Sequence, residues 1–535
     1  MQPDEVVRLA FRGLSHGAEA ALADLVANGD EANDQGAAAA GVFLRVMSCR
    51  FDEAIDAADA LATRQLDGDR LAAAAIGLAR AICTGTVTDL TDVEPAVGPY
   101  SELTETLEIE TAMSSGLITS ADVIATRMLS DCTTMSMREI WAGIGLVRAR
   151  GFAGRFTEAS EVLDRVSAAP ALADLPLMRL LADSTRIFVD GNLGNHDAVA
   201  LGLHNLRRNE PDTIEHNYVY AGSYVLAAFG ANAIGRLSEA AELIVHGGGG
   251  EHLPHLQLVD RVYGYELLVE DALARGDTSA ALLWAERAGS LPVERHHMAA
   301  AALGRLRARV AVHQRNTVVG IRESSDAGTL AALVGGELEV LRARVIEASA
   351  RAGSGDRVHG IDALEETARR ANETGASAVR DWAERELASH GRRLRNVPGQ
   401  GWDVLTPAQK VIARLAASGL RNREIATALF VSEKTVESHV AAVLGALGTT
   451  NRVGIGRELG GDEVDPVFGS KVTPRQREVA VMVARGLSNS AISRSLSISE
   501  KTVEKHVADL FDRLHVRTRS ALAAQVRGVP VSTDG

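Results

Sequence analysis

The sequence predicts an all-α protein: a helical superhelix followed by two tandem four-helix units. Three observations predict it. From Met1 to about Asn396 the chain is rich in Ala and Leu and poor in proline. Its apolar residues follow the 3.6-residue period of helices, with little of the alternation of strands. Through that stretch a turn-plus-helix signature returns at intervals of about 40 residues. Near the C-terminus, Ser432-Glu433-Lys434-Thr435-Val436-Glu437-Ser438-His439-Val440 recurs 67 positions later, at 499–507. The two copies lie inside segments that align without a gap and share 21 of 48 positions.

At 535 residues the chain exceeds what one core holds. The repeated signature is a small residue, a polar or charged one, two more, then Glu or Ser before Ala. It reads Cys49-Arg50-Phe51-Asp52-Glu53-Ala54, Gly154-Arg155-Phe156-Thr157-Glu158-Ala159 and Gly235-Arg236-Leu237-Ser238-Glu239-Ala240. Weaker instances begin at Gly85, Gly116, Gly194, Gly276 and Gly355, and the gap from Gly276 to Gly355 holds two periods. A glycine allows the left-handed turn between two helices, and alanine lets the second pack closely. A single helix pair cannot bury its apolar face, so pairs stack. Over most of residues 40–390 this resembles tetratricopeptide repeats, with a longer period and without regular Trp and Tyr positions. Gly247–Gly250 forms a loop within the array. The histidines near it (His246, His252, His255, His296 and His297) lack Cys or acidic partners at ligand spacing, so no metal site is expected. Cys49, Cys83 and Cys132 show no C-x-x-C pairing and are expected to be buried thiols.

The net charge of −14 hides an asymmetry. Residues 1–400 hold 38 basic and 56 acidic groups; residues 401–535 hold 18 and 14, and all five lysines. An acidic body with a basic tail implies that the tail approaches a polyanion. No apolar run reaches the roughly 20 residues of a membrane span, and the N-terminus lacks a basic leader, so a cytoplasmic protein with no membrane partner is expected.

Each C-terminal copy places four helices. In the second, Thr473 and Pro474 open a helix that runs to about Arg485, where Gly486 ends it. Asn489 caps a short helix to Leu496. Ser499 caps a third, with Val503, Val507, Leu510, Phe511 and Leu514 on one face and Lys501, Glu504, Lys505 and Ala508 on the other. A fourth spans Arg519–Val526. Thr406, Pro407, Gly419, Asn422, Ser432 and Asn451 mark the same positions in the first copy. A helix buried on one side and carrying short polar and basic groups on the other fits a DNA major groove.

Val472–Val479 (VTPRQREV), Gly486–Asn489 (GLSN) and the 499–507 stretch resemble the LuxR-type helix-turn-helix. So do Leu405-Thr406-Pro407, Gly419–Ala426 (GLRNREIA) and the 432–440 stretch. The resemblance implies two DNA-binding domains of four helices, in which the third helix reads the major groove and the fourth pairs copies into a homo-oligomer. The residues it assigns to DNA are Asn422, Lys434, Thr435, Glu437, Ser438, His439 and Arg452 in the first copy. In the second they are Asn489, Lys501, Thr502, Glu504, Lys505, His506 and Arg519. The chain departs from the family pattern at Gln409 and Gln476, where Glu is usual, at Ala491, and at Glu437 and Glu504, where many members carry Lys. Glutamate there repels phosphate, so it pairs with Lys434 or Lys501 one turn back or accepts from a cytosine amino group; the first is favoured. With a net +6 over residues 471–528 against +2 over 402–460, the second copy is expected to bind DNA more tightly.

The domains follow as 1–390 helical repeats, 391–403 linker, 404–460 first DNA-binding unit, 461–470 linker and 471–530 second unit. The layout resembles the C-terminal part of large ATP-binding regulators of the MalT type, without their ATPase module. No phosphate-binding loop is possible before Lys410, because that region has no lysine. No catalytic set stands out, so neither an enzyme nor a cofactor is expected. The reading is a bacterial-type transcription regulator with double-stranded DNA and RNA polymerase as partners, its array receiving a small-molecule or protein effector. The alternative is a helical-repeat scaffold acting through protein contacts, with weakened DNA binding.

Overall fold

The computed structural model describes residues 15–27, 31–64, 69–88, 100–130, 134–208, 217–392, 405–429, 431–447, 472–484, 489–496, 498–514 and 518–526, with isolated positions between them. Among the described residues there are 26 α-helices, one 3-10 turn and no strand. The all-α expectation holds. The chain divides into two compact units, Met1–Arg393 and Leu394–Gly535.

The first unit runs α1 (Ser15–Ala27), α2 (Glu31–Met47), α3 (Phe51–Ala62), α4 (Arg70–Thr84), α5 (Ser101–Ser114), α6 (Ile118–Leu129), α7 (Met137–Phe152), α8 (Phe156–Ser167), α9 (Pro176–Asn192) and α10 (His196–Arg208). It continues through α11 (Tyr218–Ala233), α12 (Leu237–Gly247), α13 (Leu258–Ala274), α14 (Thr278–Gly289), α15 (His297–His313), α16 (Thr317–Leu333), α17 (Glu337–Ala352), α18 (Arg357–Thr374) and α19 (Ser377–Ser389).

The turns inside successive pairs share one geometry. Gly116, Gly154, Gly194, Gly235 and Gly276 take φ between 72° and 82°. In each the next amide donates to a carbonyl five residues back, as Arg155 N to Arg150 O at 2.8 Å and Asp277 N to Ala272 O at 2.8 Å. This bond satisfies a carbonyl that the helix end leaves open, and it needs a left-handed residue. The same turn occurs at Cys49 (φ 55°) and Arg315 (φ 62°), where no glycine stands. The period expected between Gly276 and Gly355 therefore falls at Arg315. Gly247 to Gly250 is a closed turn: Gly248 N donates to Ile244 O at 2.9 Å and His255 N to Gly248 O at 3.1 Å.

Charged side chains join the first helices of neighbouring pairs across roughly one period. Arg148 meets Glu110 at 2.9 Å, Arg138 meets Glu105 at 2.6 Å, and Arg305 meets Glu266 at 2.7 Å. The array also curls back on itself. His296 Nε2 lies 2.7 Å from Ser114 O, although 182 residues separate them, and a Cβ on Gly116 would clash with the His296 ring.

The second unit contains α20 (Pro407–Ala417), α21 (Asn422–Leu429), α22 (Glu433–Ala446), α23 (Pro474–Ala484), α24 (Asn489–Leu496), α25 (Glu500–Leu514) and α26 (Arg519–Val526). Two separate apolar cores form. One gathers Leu405, Ile412, Ile425, Val436, Val440, Val443 and Ile455; the other gathers Val479, Val483, Ile492, Val503, Leu510 and Leu522. Gly454, Gly456, Gly486 and the acidic segment 460–470 lie outside the described residues.

Candidate nucleic-acid interface

Each third helix begins on a serine cap. Thr435 N donates to Ser432 Oγ at 3.1 Å, and Thr502 N donates to Ser499 Oγ at 3.1 Å. The threonine hydroxyls complete the cap at 2.7 Å from the serine oxygens. Thr435 and Thr502 therefore start the helix as well as standing at its outer end. The cap sets the register: Val436, Val440 and Val443 are buried in one copy, and Val503, Val507 and Leu510 in the other.

The opposite face is open. Lys434, Glu437 and Ser438 are exposed, as are Lys501, Glu504 and Lys505. Among the described residues, neither Lys434–Glu437 nor Lys501–Glu504 forms an ion pair, so the favoured intrahelical pairing is not seen. Each exposed glutamate keeps its acceptor oxygens directed to solvent, where an amino group of a base can donate to them. His439 and His506 are half-buried at the edge of the row, and His506 Nδ1 is buried without a hydrogen-bond partner.

Asn422, Arg452, Asn489 and Arg519 are placed differently from the other expected residues. Arg519 donates through Nη1 to Asn489 Oδ1 at 2.9 Å and through Nη2 to Leu487 O at 2.5 Å. Arg452 repeats this on Asn422 Oδ1 and on Leu420 O, the latter at 2.5 Å. Burial lowers both guanidinium pKa values from their ordinary range. In the second copy these bonds bolt the start of α26 to the turn before α24, and in the first copy Arg452 makes the same contacts at the turn before α21. The sequence showed the repetition of these four residues but not their direction, because a polar residue at a helix start serves a cap, a bolt or a ligand alike.

The glutamines at the family's usual glutamate position still close the first helix. Thr406 N donates to Gln409 Oε1 at 2.8 Å and Gln409 N to Thr406 Oγ1 at 3.2 Å. Thr473 and Gln476 do the same at 3.2 and 3.3 Å. This reciprocal cap needs an acceptor, which an amide supplies as well as a carboxylate. Exposed Arg421 and Arg423 at the start of α21 were not singled out from sequence. They add two exposed cations beside the third helix's outward row in the first copy's sequence.

The two copies touch each other. Thr518 Oγ1 donates to Gly419 O at 3.1 Å, and a Cβ on Gly419 would lie 2.6 Å from Ala521 Cβ. The glycine that ends α20, at φ 99°, thus receives the start of α26 from the other copy.

The family model described as "Bacterial regulatory proteins, luxR family" matches residues 403–458 and 470–526. A protein of Mycobacterium bovis named as an HTH-type transcriptional regulator, Mb0914c, is 44% identical over 66 residues, 12% of this chain and 8% of that protein. The nitrate/nitrite response regulator protein NarP of Escherichia coli is 44% identical over 75 residues, 14% of this chain and 34% of its own length. The two-component response regulator PprB of Pseudomonas aeruginosa is 41% identical over 59 residues, 11% of this chain and 21% of its own. The chain thus spans about a third or less of the relatives it matches. The matched segments contain both capped third helices, and on this ground the C-terminal part of the chain carries the helix-turn-helix of the luxR family of bacterial regulatory proteins.

Proposed function

We propose that the protein is a sequence-specific transcription regulator whose residues 1–390 form a sensory helical-repeat domain and whose units 404–460 and 471–530 bind double-stranded DNA. The observation that carries this reading is the exposed row Lys501, Glu504 and Lys505 on a helix whose other face is locked into a core. Lys434, Glu437 and Ser438 repeat it. In this reading Lys501 and Lys505 meet phosphates or guanine, and Glu504 accepts from cytosine. Asn489 and Arg519 position the helix without touching DNA. An effector, small molecule or protein, acts on the array; RNA polymerase is the second macromolecular partner.

The second copy leads, because its basic excess is larger. Random-library selection with the full chain tests the reading: one enriched motif made of two halves at a fixed spacing is expected, and its enrichment is lost when residues 466–535 are removed. Lys505→Glu is expected to weaken binding more than Ser438→Glu. The reverse order would sink the leading role of the second copy. Absence of any enriched motif at low salt would overturn the regulator itself in favour of a protein-binding scaffold.

A further inference from the structure

The first helices of the later pairs enclose a cavity of about 510 Å3. Phe152, Phe188, Phe229, Leu338, Val379 and Trp382 supply its apolar wall. The three phenylalanines form one cluster, with ring centroids 5.6 to 6.3 Å apart. Aromatic rings at such distances favour tilted and edge-to-face contacts, which a further flat ring can continue. The volume falls within the roughly 300–1,000 Å3 of ligand pockets.

The charges on the wall are arranged unequally. Arg309, Arg342 and Arg385 line the cavity together with Glu270, Glu339 and Glu386. The Glu339 side chain is fully buried and lies 3.3 Å from Arg342, whose side chain is 12% exposed. The Glu270 side chain is 8% exposed and lies 2.8 Å from Arg309, at 19%. In both pairs the guanidinium is the more accessible member, so the pairs offer N–H donors more than acceptor oxygens. Glu386 has both oxygens engaged within the protein: Trp382 Nε1 donates to Oε1 at 3.2 Å and Ser349 Oγ to Oε2 at 2.5 Å. Arg385 differs from the other five. It is exposed, and among the described residues its side chain makes no ion pair and no hydrogen bond. A guanidinium carries its donors in a flat fork that matches a carboxylate.

We propose that this cavity binds a small organic acid with a flat aromatic body. Its carboxylate accepts from Arg385 at the solvent side of the wall, while the ring lies against the phenylalanines and Trp382. An anion is favoured because the wall holds three guanidinium groups, and the carboxylates among them are buried or already bonded. A cation would meet Arg385 with no open carboxylate to receive it. One carboxylate suffices, since a single guanidinium on the wall is unpaired. The inference rests on the sensing role proposed for the array and names its ligand class.

The test uses the full chain and three probes with one aromatic body: 2-naphthoate, 2-naphthamide and 2-naphthylmethylammonium. Calorimetric titration is expected to show saturable one-to-one binding of the naphthoate, with the amide about tenfold weaker and the ammonium weaker still. Arg385→Gln removes the charge from an exposed position that has no partner in the fold. It is expected to weaken the naphthoate about tenfold and leave the amide unchanged, a difference that a merely structural effect would not produce. Ala233→Trp, which fills the cavity from a half-buried position on its wall, is expected to abolish binding of both with an unchanged melting curve. Should Ala233→Trp fail to fold, the two probes on Arg385→Gln carry the comparison. Amide or ammonium binding as tight as the naphthoate, naphthoate binding indifferent to Arg385→Gln or to a folded Ala233→Trp, or no saturation by ~1 mM would overturn the proposal. Octanoate binding more tightly than naphthoate would likewise overturn it, by replacing the aromatic body with an aliphatic one. Naphthoate binding that leaves DNA affinity unchanged would uphold the site and refute the sensing role instead.

Discussion

Arg315 takes a left-handed backbone at a turn where five other pairs place glycine. For a residue with a Cβ that conformation costs roughly 1–2 kcal/mol, and glycine avoids it. Arg315→Gly is expected to raise stability by about 1 kcal/mol, read as a shift in the urea midpoint with unchanged slope. The residue also explains why one period was invisible in the sequence: the turn demands a backbone angle, and side-chain identity reports it only when glycine is used. Asp260 makes a second case. It borders a smaller cavity with Glu110, Arg148 and Tyr218, and burial raises its carboxyl to about 6, opposed by the amide of Gln257 and by Arg148. An acid whose folded pKa is raised holds its proton more tightly in the folded state, so stability falls as pH rises from about 4 to about 6 and stays reduced above that. Asp260→Asn is therefore expected to melt higher than the parent at pH 7.5, with the advantage shrinking as pH falls through that window. An advantage that grows on acidification would contradict this origin.

At the scale of elements, the third helices were legible because caps and periodicity are local. Ser432 and Ser499 open them, and the buried valines follow at helical spacing. The meeting of α20 with α26 was not legible, since nothing local distinguishes Gly419 as a helix stop from Gly419 as a seat for another helix. Its φ of 99° satisfies the stop, while the missing Cβ admits Ala521. With the copies seated on each other, the full chain is expected to select two half-motifs at a single spacing. Ala521→Leu pushes into this seat and is expected to broaden the spacing while each half-motif stays unchanged. A spacing that stays sharp would show that the seat does not govern DNA geometry.

Over the whole molecule, charge is segregated. Residues 1–400 hold 18 more acidic than basic groups, and residues 401–535 hold 4 more basic than acidic. Within the tail the excess is +6 over 471–528 and +2 over 402–460. Each phosphate neutralised adds about 0.9 to the slope of log affinity against log salt. Removing residues 466–535 is therefore expected to lower that slope by more than half, measured by fluorescence anisotropy across a salt series. A slope nearly unchanged would move the principal phosphate contacts to the first copy. The acidic excess of the array does not mean its interior is acidic: Glu105, Glu108, Glu110, Glu266 and Glu339 are buried, each with an arginine partner.

The sequence by itself determined the helices, the intervals of most turns, the doubled unit and the outward row of each third helix. All of these depend on neighbours within a turn or two of chain, where spacing and capping carry the information. Tertiary structure alone decided which charges meet, because Arg305 finds Glu266 and Glu339 across helices 39 and 34 residues apart. It likewise decided that Asn489 and Arg519 hold the fold together, that Gly419 receives Ala521, and that Arg309 and Arg385 line one chamber. Such pairings arise from the stacking of helix on helix, which sets distances that no local pattern encodes.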